Sequence, residues 1–362
     1  MRGVGGFALA ALLLAFGAGC SAAGAGASTL GEGVAAVYDG GGQVAEDEVT
    51  AYIGAYRAQS GTEGDDAAWE AYLAERHLTP ELLREKTIRQ LVIDAVAEQR
   101  AVEAGISVDD EEIEAQLDAM KDSLAFGDDA IFEETLQLYG RTADDMRALY
   151  AHEALLEELL EQEVPLPQPT EEEVAAYVAQ AYPSGATFKH VYYFHLAASA
   201  ESDEPSYDDL VLAQTLLNDL KEEGLTPEHF AAVVDAYGES EELRARGGDL
   251  GYDLGELPVS VAAQNAIDAT AVGEVSGAFI DDASYGFVWV DSAYDLSADQ
   301  EDAASLAALP EELQETLTKK AAEALWQEDC QEYLSKLYED SQVDIAPMPE
   351  GLPYATTAAN NG

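Results

Sequence analysis

A long apolar stripe near the C-terminus constrains the fold of this chain most strongly. Residues 310–340 form a helical pattern whose apolar members recur along one face: Leu313, Leu317, Ala321, Leu325, Leu334 and Leu337. A single helix cannot bury such a face by itself. Helical periodicity also fills residues 80–163, far upstream. We therefore predict one discontinuous helical domain, assembled from an N-terminal segment at 33–183 and a C-terminal helical segment at 300–346.

The residues between these segments have a different pattern. The stretch Phe188–Leu196 (FKHVYYFHL) is rich in aromatic and β-branched residues and predicts a strand. Two helical stretches follow, then the glycine-rich turn Gly247–Gly251 (GGDLG) and a closing strand at Gly286–Val290. This order predicts a compact α+β unit at 186–292. The fold class is therefore α+β, with the α+β unit inserted into the helical domain.

Charge and cysteine content exclude several functions. The chain has 17 Lys and Arg residues against 72 Asp and Glu residues, a formal net charge of −55. Such a charge repels phosphate backbones, so we exclude nucleic acid as a partner. Two cysteines allow no multi-cysteine zinc site and no disulfide framework. The five histidines form no His-Glu-x-x-His pattern. We accordingly expect no metal and no cofactor.

The two termini have the composition of export and tail segments. Residues 1–19 combine a basic start, an apolar run and small residues, which predicts a signal peptide. Cys20 directly follows, in a context that resembles a lipobox, and would carry a lipid that anchors the protein to the outer face of the cell membrane. An ordinary secretory signal with a stray cysteine is the alternative. Residues 20–32 are predicted to be a flexible tether, and residues 347–362 a disordered tail.

Several short motifs carry a resemblance to a known family. They are Phe194-His195-Leu196, Glu222-Glu223-Gly224, Arg246–Gly251 (RGGDLG), Gly273–Gly277 (GEVSG) and Tyr285-Gly286-Phe287. In order and spacing, residues 186–292 resemble a parvulin-type peptidyl-prolyl isomerase domain. The flanks, with the Ala104–Val108 turn and the Glu171–Glu173 helix start, are similar to the chaperone module of SurA- and PrsA-type extracytoplasmic foldases. The resemblance implies that the partners are unfolded or partly folded exported proteins.

The resemblance also implies where a substrate site lies. Isomerisation of an X–Pro bond needs an apolar slot for the ring and polar groups that favour the twisted amide. The family's first-strand histidine falls on His195, and its Cys or Asp position falls on Ser240. The apolar positions fall on Leu257, on Ala263 or Val261 in place of a Phe, and on Val288 in place of a last-strand histidine. Gly247, Gly248, Asp249 and Gly251 form the structural turn. His190 should face the other side of the strand.

Two functions follow as expectations. Because Val288 and Ala263 replace a histidine and a phenylalanine of the family, we expect a chaperone whose isomerase domain has reduced activity. The alternative is a fully active peptidyl-prolyl isomerase acting on secreted proteins. Aromatic residues of the helical module could line a peptide-binding crevice or pack in its core: Tyr52, Tyr56, Trp69, Tyr72, Phe126 and Tyr139.

Overall fold

The computed structural model describes residues 31–138, 140–197, 205–296 and 303–355. They divide into two compact units. Unit 1 comprises the described residues up to Leu166 and from Trp326 onward, and unit 2 comprises those of Pro167–Leu325. Helices and small sheets are mixed, so the α+β class is confirmed. The signal peptide, Cys20 and Tyr139 lie outside the described residues, as does most of the tether.

Unit 1 combines long helices with a small antiparallel sheet of strand order β2-β1-β7. Its strands are β1 Val34–Tyr38, β2 Gly42–Ala45 and β7 Asp344–Ile345. Its helices are α1 Glu46–Gln59, α2 Asp66–Glu75, α3 Pro80–Ala104, α4 Asp110–Ala125, α5 Asp129–Leu138 and α6 Ala143–Glu163, with the second half of α13 Glu311–Asp340. Local signals set these bounds: the Thr79 hydroxyl accepts from the Leu82 N–H before α3, and Gly105 ends it in the left-handed conformation.

The second half of α13 is buried among the N-terminal helices. Trp326, Cys330 and Leu337 pack with Ala97 and Ala101 of α3 and with the leucines of α6. The Trp326 indole N–H donates to the Val164 carbonyl at 2.8 Å. Unit 1 is therefore built from both ends of the chain.

The first half of α13 does not belong to this core. Leu313, Leu317 and Ala321 pack in unit 2, against Val174 and Val178 of helix α7 (Glu171–Ala181). The prediction that residues 300–346 complete the helical domain is therefore wrong for the residues up to Leu325, and the N-terminal segment ends near residue 166 rather than 183. One apolar stripe is divided between two cores.

The C-terminal residues up to Ala355 are anchored in unit 1. Tyr354 is 2 % exposed and packs with Trp69, whose indole N–H donates to the Tyr354 carbonyl at 3.1 Å. The prediction of a disordered tail is wrong for residues 347–355, because a buried aromatic residue fixes a segment whose composition otherwise indicates a loose chain.

Unit 1 buries a charged pair beneath this tail. The Arg84 guanidinium donates to both carboxylate oxygens of Glu46, at 2.6 to 3.2 Å, and to the Ala346 carbonyl at 3.0 Å. The Tyr354 hydroxyl donates to Glu46 at 3.2 Å. Arg84 is 3 % exposed and Glu46 6 %. The pair joins the start of α1, helix α3 and the C-terminal segment in one network.

The stability of unit 1 should depend on pH through His152. The carboxylates of Asp94, 3.7 Å from Nε2, and of Glu98, 3.2 Å from Nδ1, raise the pKa of His152 to about 10. Because the folded-state pKa exceeds the unfolded value, this contribution is complete below pH 6.5 and is lost as pH rises through about 10. We expect the free energy of unfolding to fall by about 3–4 kcal/mol between pH 7 and 10. Urea denaturation at each pH measures it. His152→Gln should remove the slope, whereas the exposed His77→Asn should not; equal slopes in both variants would contradict the assignment.

Unit 2 is built on a four-stranded antiparallel sheet of order β4-β3-β6-β5. Its strands are β3 Ala186–His195, β4 Asp249–Asp253, β5 Phe279–Asp281 and β6 Ser284–Leu296. Its helices, besides α7 and the first half of α13, are α8 Tyr207–Glu223, α9 Pro227–Tyr237, α10 Glu241–Ala245, α11 Val261–Ala269 and α12 Ala303–Leu306. Alternate residues of β3 face opposite layers: Tyr192 and Phe194 pack with α8 and α9, and Val191 and Tyr193 pack with α11.

Candidate functional site

His195 lies at the end of β3, where both of its ring nitrogens are engaged. Nδ1 is 2.7 Å from a carboxylate oxygen of Glu239, and Nε2 is 3.1 Å from the Asp281 carbonyl oxygen. Both neighbours are acceptors, so only the doubly protonated ring can donate to both at once. The side chain is 15 % exposed. These two contacts hold the His195 ring in place, and solvent has limited access to it.

Tyr193 lies two residues before His195 and shares its face of the sheet. The two rings stack with centroids 6.3 Å apart, and the Tyr193 hydroxyl donates to the Asp281 carboxylate. Burial, and then this hydrogen bond, raise the pKa of Tyr193 far above its usual value. The phenol therefore stays protonated at any physiological pH and remains a donor. The period-two alternation of a strand could have placed Tyr193 beside His195, but the contributions of Glu239 and Asp281 had no sequence signal.

Ser240 makes a hydrogen bond at the start of a helix. Its hydroxyl accepts from the Leu243 N–H at 3.2 Å and caps helix α10. The residue that reaches His195 is its neighbour Glu239. The Ser240 oxygen is used as a helix cap, and its assignment to the site stays a prediction.

The apolar positions divide into a buried floor and one exposed residue. Ala263 and Val288 are fully buried in a cluster with Val191 and Tyr193, and Leu257 packs at its edge, half-buried. Val261 is 79 % exposed, since it is the first residue of α11. Val261 therefore lies outside this buried floor, and its role in the site stays a prediction.

Val288 does not lie opposite His195. In the register of β3 and β6, Val288 pairs with Tyr193, and His195 pairs with Gly286. The residue opposite His195 is therefore a glycine, which has no side chain. A Cβ there would lie 3.0 Å from the Phe194 carbonyl oxygen and 3.1 Å from the Phe279 ring. The last strand consequently offers no polar side chain to His195.

The glycine-rich turn has a packing role. Gly248 has a φ of 81° and a Cβ there would lie 2.7 Å from the Tyr193 carbonyl oxygen. Only glycine permits both this conformation and this approach. The Asp249 carboxylate accepts from the Gly251 N–H at 2.8 Å. The turn thus supports β3 from behind the site and presents no free polar group of its own to His195.

Residues 4–160 match the family model of the SurA-like N-terminal domain. No curated protein matches the chain. PrsA from Bacillus subtilis is 16 % identical, with 76 % of this chain and 89 % of that one covered and a TM-score of 0.38. The foldase protein PrsA from Streptococcus pneumoniae is 15 % identical, with 92 % and 99 % covered and a TM-score of 0.38.

A third solved structure is described as one of two SurA-like chaperones of Campylobacter jejuni, PEB4 and the periplasmic protein Cj1289. It is 14 % identical, with 88 % of this chain and all of that one covered and a TM-score of 0.38.

Within the described residues, no helix has the length and apolar character needed to cross a bilayer. The match over residues 4–160 confirms the predicted resemblance of the N-terminal segment to SurA-like proteins, and this part of the chain is a SurA-like N-terminal domain.

Proposed function

We propose that this protein is an extracytoplasmic chaperone that holds unfolded exported chains, and that its parvulin-like unit is a weak isomerase. The observation that supports the first part most strongly is a set of exposed apolar side chains on the helical hairpin α4–α5 of unit 1. They are Leu124 at 45 %, Phe126 at 94 %, Ile131 at 48 % and Leu138 at 80 % exposed. Large apolar side chains concentrated on the surface favour an interaction site.

Phe126 is the most informative member of this set. It follows α4 with a φ of 51°, in the left-handed region that favours glycine or asparagine. Such a conformation costs about 1 kcal/mol for a residue with a side chain, and an exposed ring offers no burial in return. A phenylalanine that weakens the fold and projects into water is best explained by a contact with another molecule.

The aromatic residues Tyr56, Trp69 and Tyr72 instead pack on one another in the core.

Weak isomerase activity follows from how the polar groups of unit 2 are used. A twisted X–Pro amide needs donors that are free to reach its carbonyl oxygen or nitrogen. In unit 2 the two ring nitrogens of His195 lie against the Asp281 carbonyl and the Glu239 carboxylate, the Tyr193 hydroxyl is bonded to Asp281, and Ser240 caps a helix. Opposite His195 the last strand has only Gly286. The buried floor of Ala263 and Val288 can accept a small apolar ring, but little is left to polarise its amide.

The chaperone proposal is tested by Phe126→Gly. The variant should suppress aggregation of an unfolded, proline-poor client about tenfold less well, because a buried phenylalanine contributes about 1.5–3 kcal/mol. Its thermal stability should stay equal or rise, because glycine relieves the left-handed strain. Val102→Ala, which trims an exposed apolar residue on α3, is the matched control. Unchanged activity in Phe126→Gly, or an equal loss in the control, would contradict the assignment.

The isomerase activity of the full-length protein and its variants tests the second part of the proposal. In a protease-coupled assay with a prolyl peptide, the full chain should turn over far more slowly than an intact parvulin. His195→Ala should change this rate little, while leaving client protection as in wild type. Turnover at the level of an intact parvulin, abolished by His195→Ala, would favour the fully active isomerase instead.

The cellular location is part of the proposal. The lipobox-like context of Cys20 and the apolar run before it favour a lipid-anchored protein on the outer face of the cell membrane. A lipid chain at the end of a flexible tether would keep the molecule close to emerging exported chains. It would also hold a polypeptide of net charge −55 near an anionic surface that otherwise repels it.

A further inference from the structure

A buried histidine lies on the opposite face of the sheet from His195. His190 is 6 % exposed, and neither of its ring nitrogens makes a hydrogen bond to any described residue. Its ring is fixed edge-on by Tyr192 and Tyr252, with centroids 5.2 and 4.9 Å away. A buried imidazole without hydrogen bonds is costly, so its surroundings need an explanation.

Carboxylates converge on this ring. Nε2 is 3.4 Å from an Asp249 oxygen and 3.3 Å from a Glu312 oxygen, and Nδ1 is 3.8 Å from an Asp291 oxygen. The ligand atoms of His190, Asp249 and Glu312 all lie within 4.8 Å of one another. Three carboxylates therefore surround a ring whose two nitrogens make no hydrogen bond to any described residue.

We propose that His190, Asp249 and Glu312 form a binding site for a divalent cation of the zinc class. Bonds of about 2.0–2.2 Å in a tetrahedral site place neighbouring ligand atoms roughly 3.3–3.6 Å apart. The two distances from Nε2 to the carboxylates match that spacing. A neutral imidazole and two carboxylates also balance the charge of the ion, and one coordination position remains for water.

The surroundings preorganise these ligands. The Gly251 N–H donates to the Asp249 carboxylate at 2.8 Å, and the two tyrosine rings set the plane of the imidazole. The three ligands come from β3, the start of β4 and the first turn of α13. A bound ion would tie the start of α13 to the edge of the sheet within unit 2. Because each ligand lies on a different element, no sequence motif marks the site. The expectation of no metal, which was based on sequence motifs, could not take these three residues into account.

The competing explanation is a protonated His190 that pairs with its carboxylates and needs no ion. Titration of the full mature chain with zinc, measured by calorimetry in high salt, distinguishes these two explanations. High salt suppresses the diffuse cation atmosphere of so acidic a protein. We expect one saturable zinc site per chain, at least tenfold weaker in Glu312→Gln and in Asp249→Asn, together with a rise in the melting temperature that both variants lose.

Glu315→Gln is the matched control, since it removes the same charge from an exposed residue one turn along α13. It should bind zinc as wild type does. Cobalt provides a second readout, because an N/O site of four or five ligands gives visible absorption bands that water-bound cobalt lacks. Absence of a saturable site, unchanged affinity in both ligand variants, or an equal loss in Glu315→Gln would each overturn the proposal.

Discussion

Arg84→Met should lower the free energy of unfolding of unit 1 by about 3–5 kcal/mol, because it leaves the Glu46 carboxylate buried without its cation. The guanidinium makes three bonds to that carboxylate and one to the Ala346 carbonyl. Its loss therefore also frees the C-terminal segment. Urea denaturation followed by tryptophan fluorescence measures the effect, since Trp69 lies in the adjoining core.

The control for this prediction is an ion pair of the same unit on its surface. Arg147 contacts Glu114 and Asp144, but its side chain is 41 % exposed. Arg147→Met should lower the free energy of unfolding far less, because solvent screens an exposed ion pair. The double variant Glu46→Gln/Arg84→Met should recover part of the loss, because no charge is then left unpaired. Similar losses in Arg84→Met and Arg147→Met would show that burial of the Glu46–Arg84 pair is not decisive.

Removal of Pro167–Leu325 should leave a cooperatively folding protein. The ends to be joined by a short glycine–serine linker are close, since the Val164 carbonyl accepts from the Trp326 indole at 2.8 Å. The two large apolar clusters of unit 1 draw their residues from outside the deleted segment. A sharp thermal transition by circular dichroism and a dispersed NMR spectrum are the expected results.

A shorter deletion, of residues 186–292, provides the comparison. It removes Phe188 from the cluster that covers Leu313, Leu317, Val174 and Val178, and so exposes the first half of α13. That product should be less soluble and should melt broadly. A molten product from the longer deletion, or equally good behaviour of the shorter one, would contradict the division of the chain at residues 166 and 326.

The sequence indicates which segments form helices and strands more clearly than it indicates what those elements pack against. Periodicity identified α13 as one helix, but it shows only that a face must be covered and not what covers it. Leu313 and Leu317 lie on the same stripe as Leu337, yet they belong to a different core. In the same way, alternation placed His190 on the opposite face of β3 from His195, but it could not reveal the carboxylates brought there by three other elements.

The candidate site shows the same limit. Resemblance indicated His195, whereas its partners Glu239 and Asp281 follow from the packing of a loop and an edge strand against β3. The resemblance placed the last-strand position on Val288, but it could not show that Gly286 is the β6 residue that pairs with His195. Composition misled at the C-terminus, because a single buried tyrosine outweighs several proline, alanine and threonine residues in fixing a short segment.

The assembly of unit 1 from both ends of the chain sets an order for its own maturation. A polypeptide is made from its N-terminus, and unit 2 has all of its residues once Leu325 has been synthesised. Unit 1 must wait for Trp326, for β7 and for Tyr354, which fill its core and cover Glu46. Domains generally fold as units in the order in which they are made, but here the first helices to appear are the last to be completed. Until its final residues arrive, the nascent protein presents the same kind of unsatisfied apolar surface that we propose the mature one protects in others.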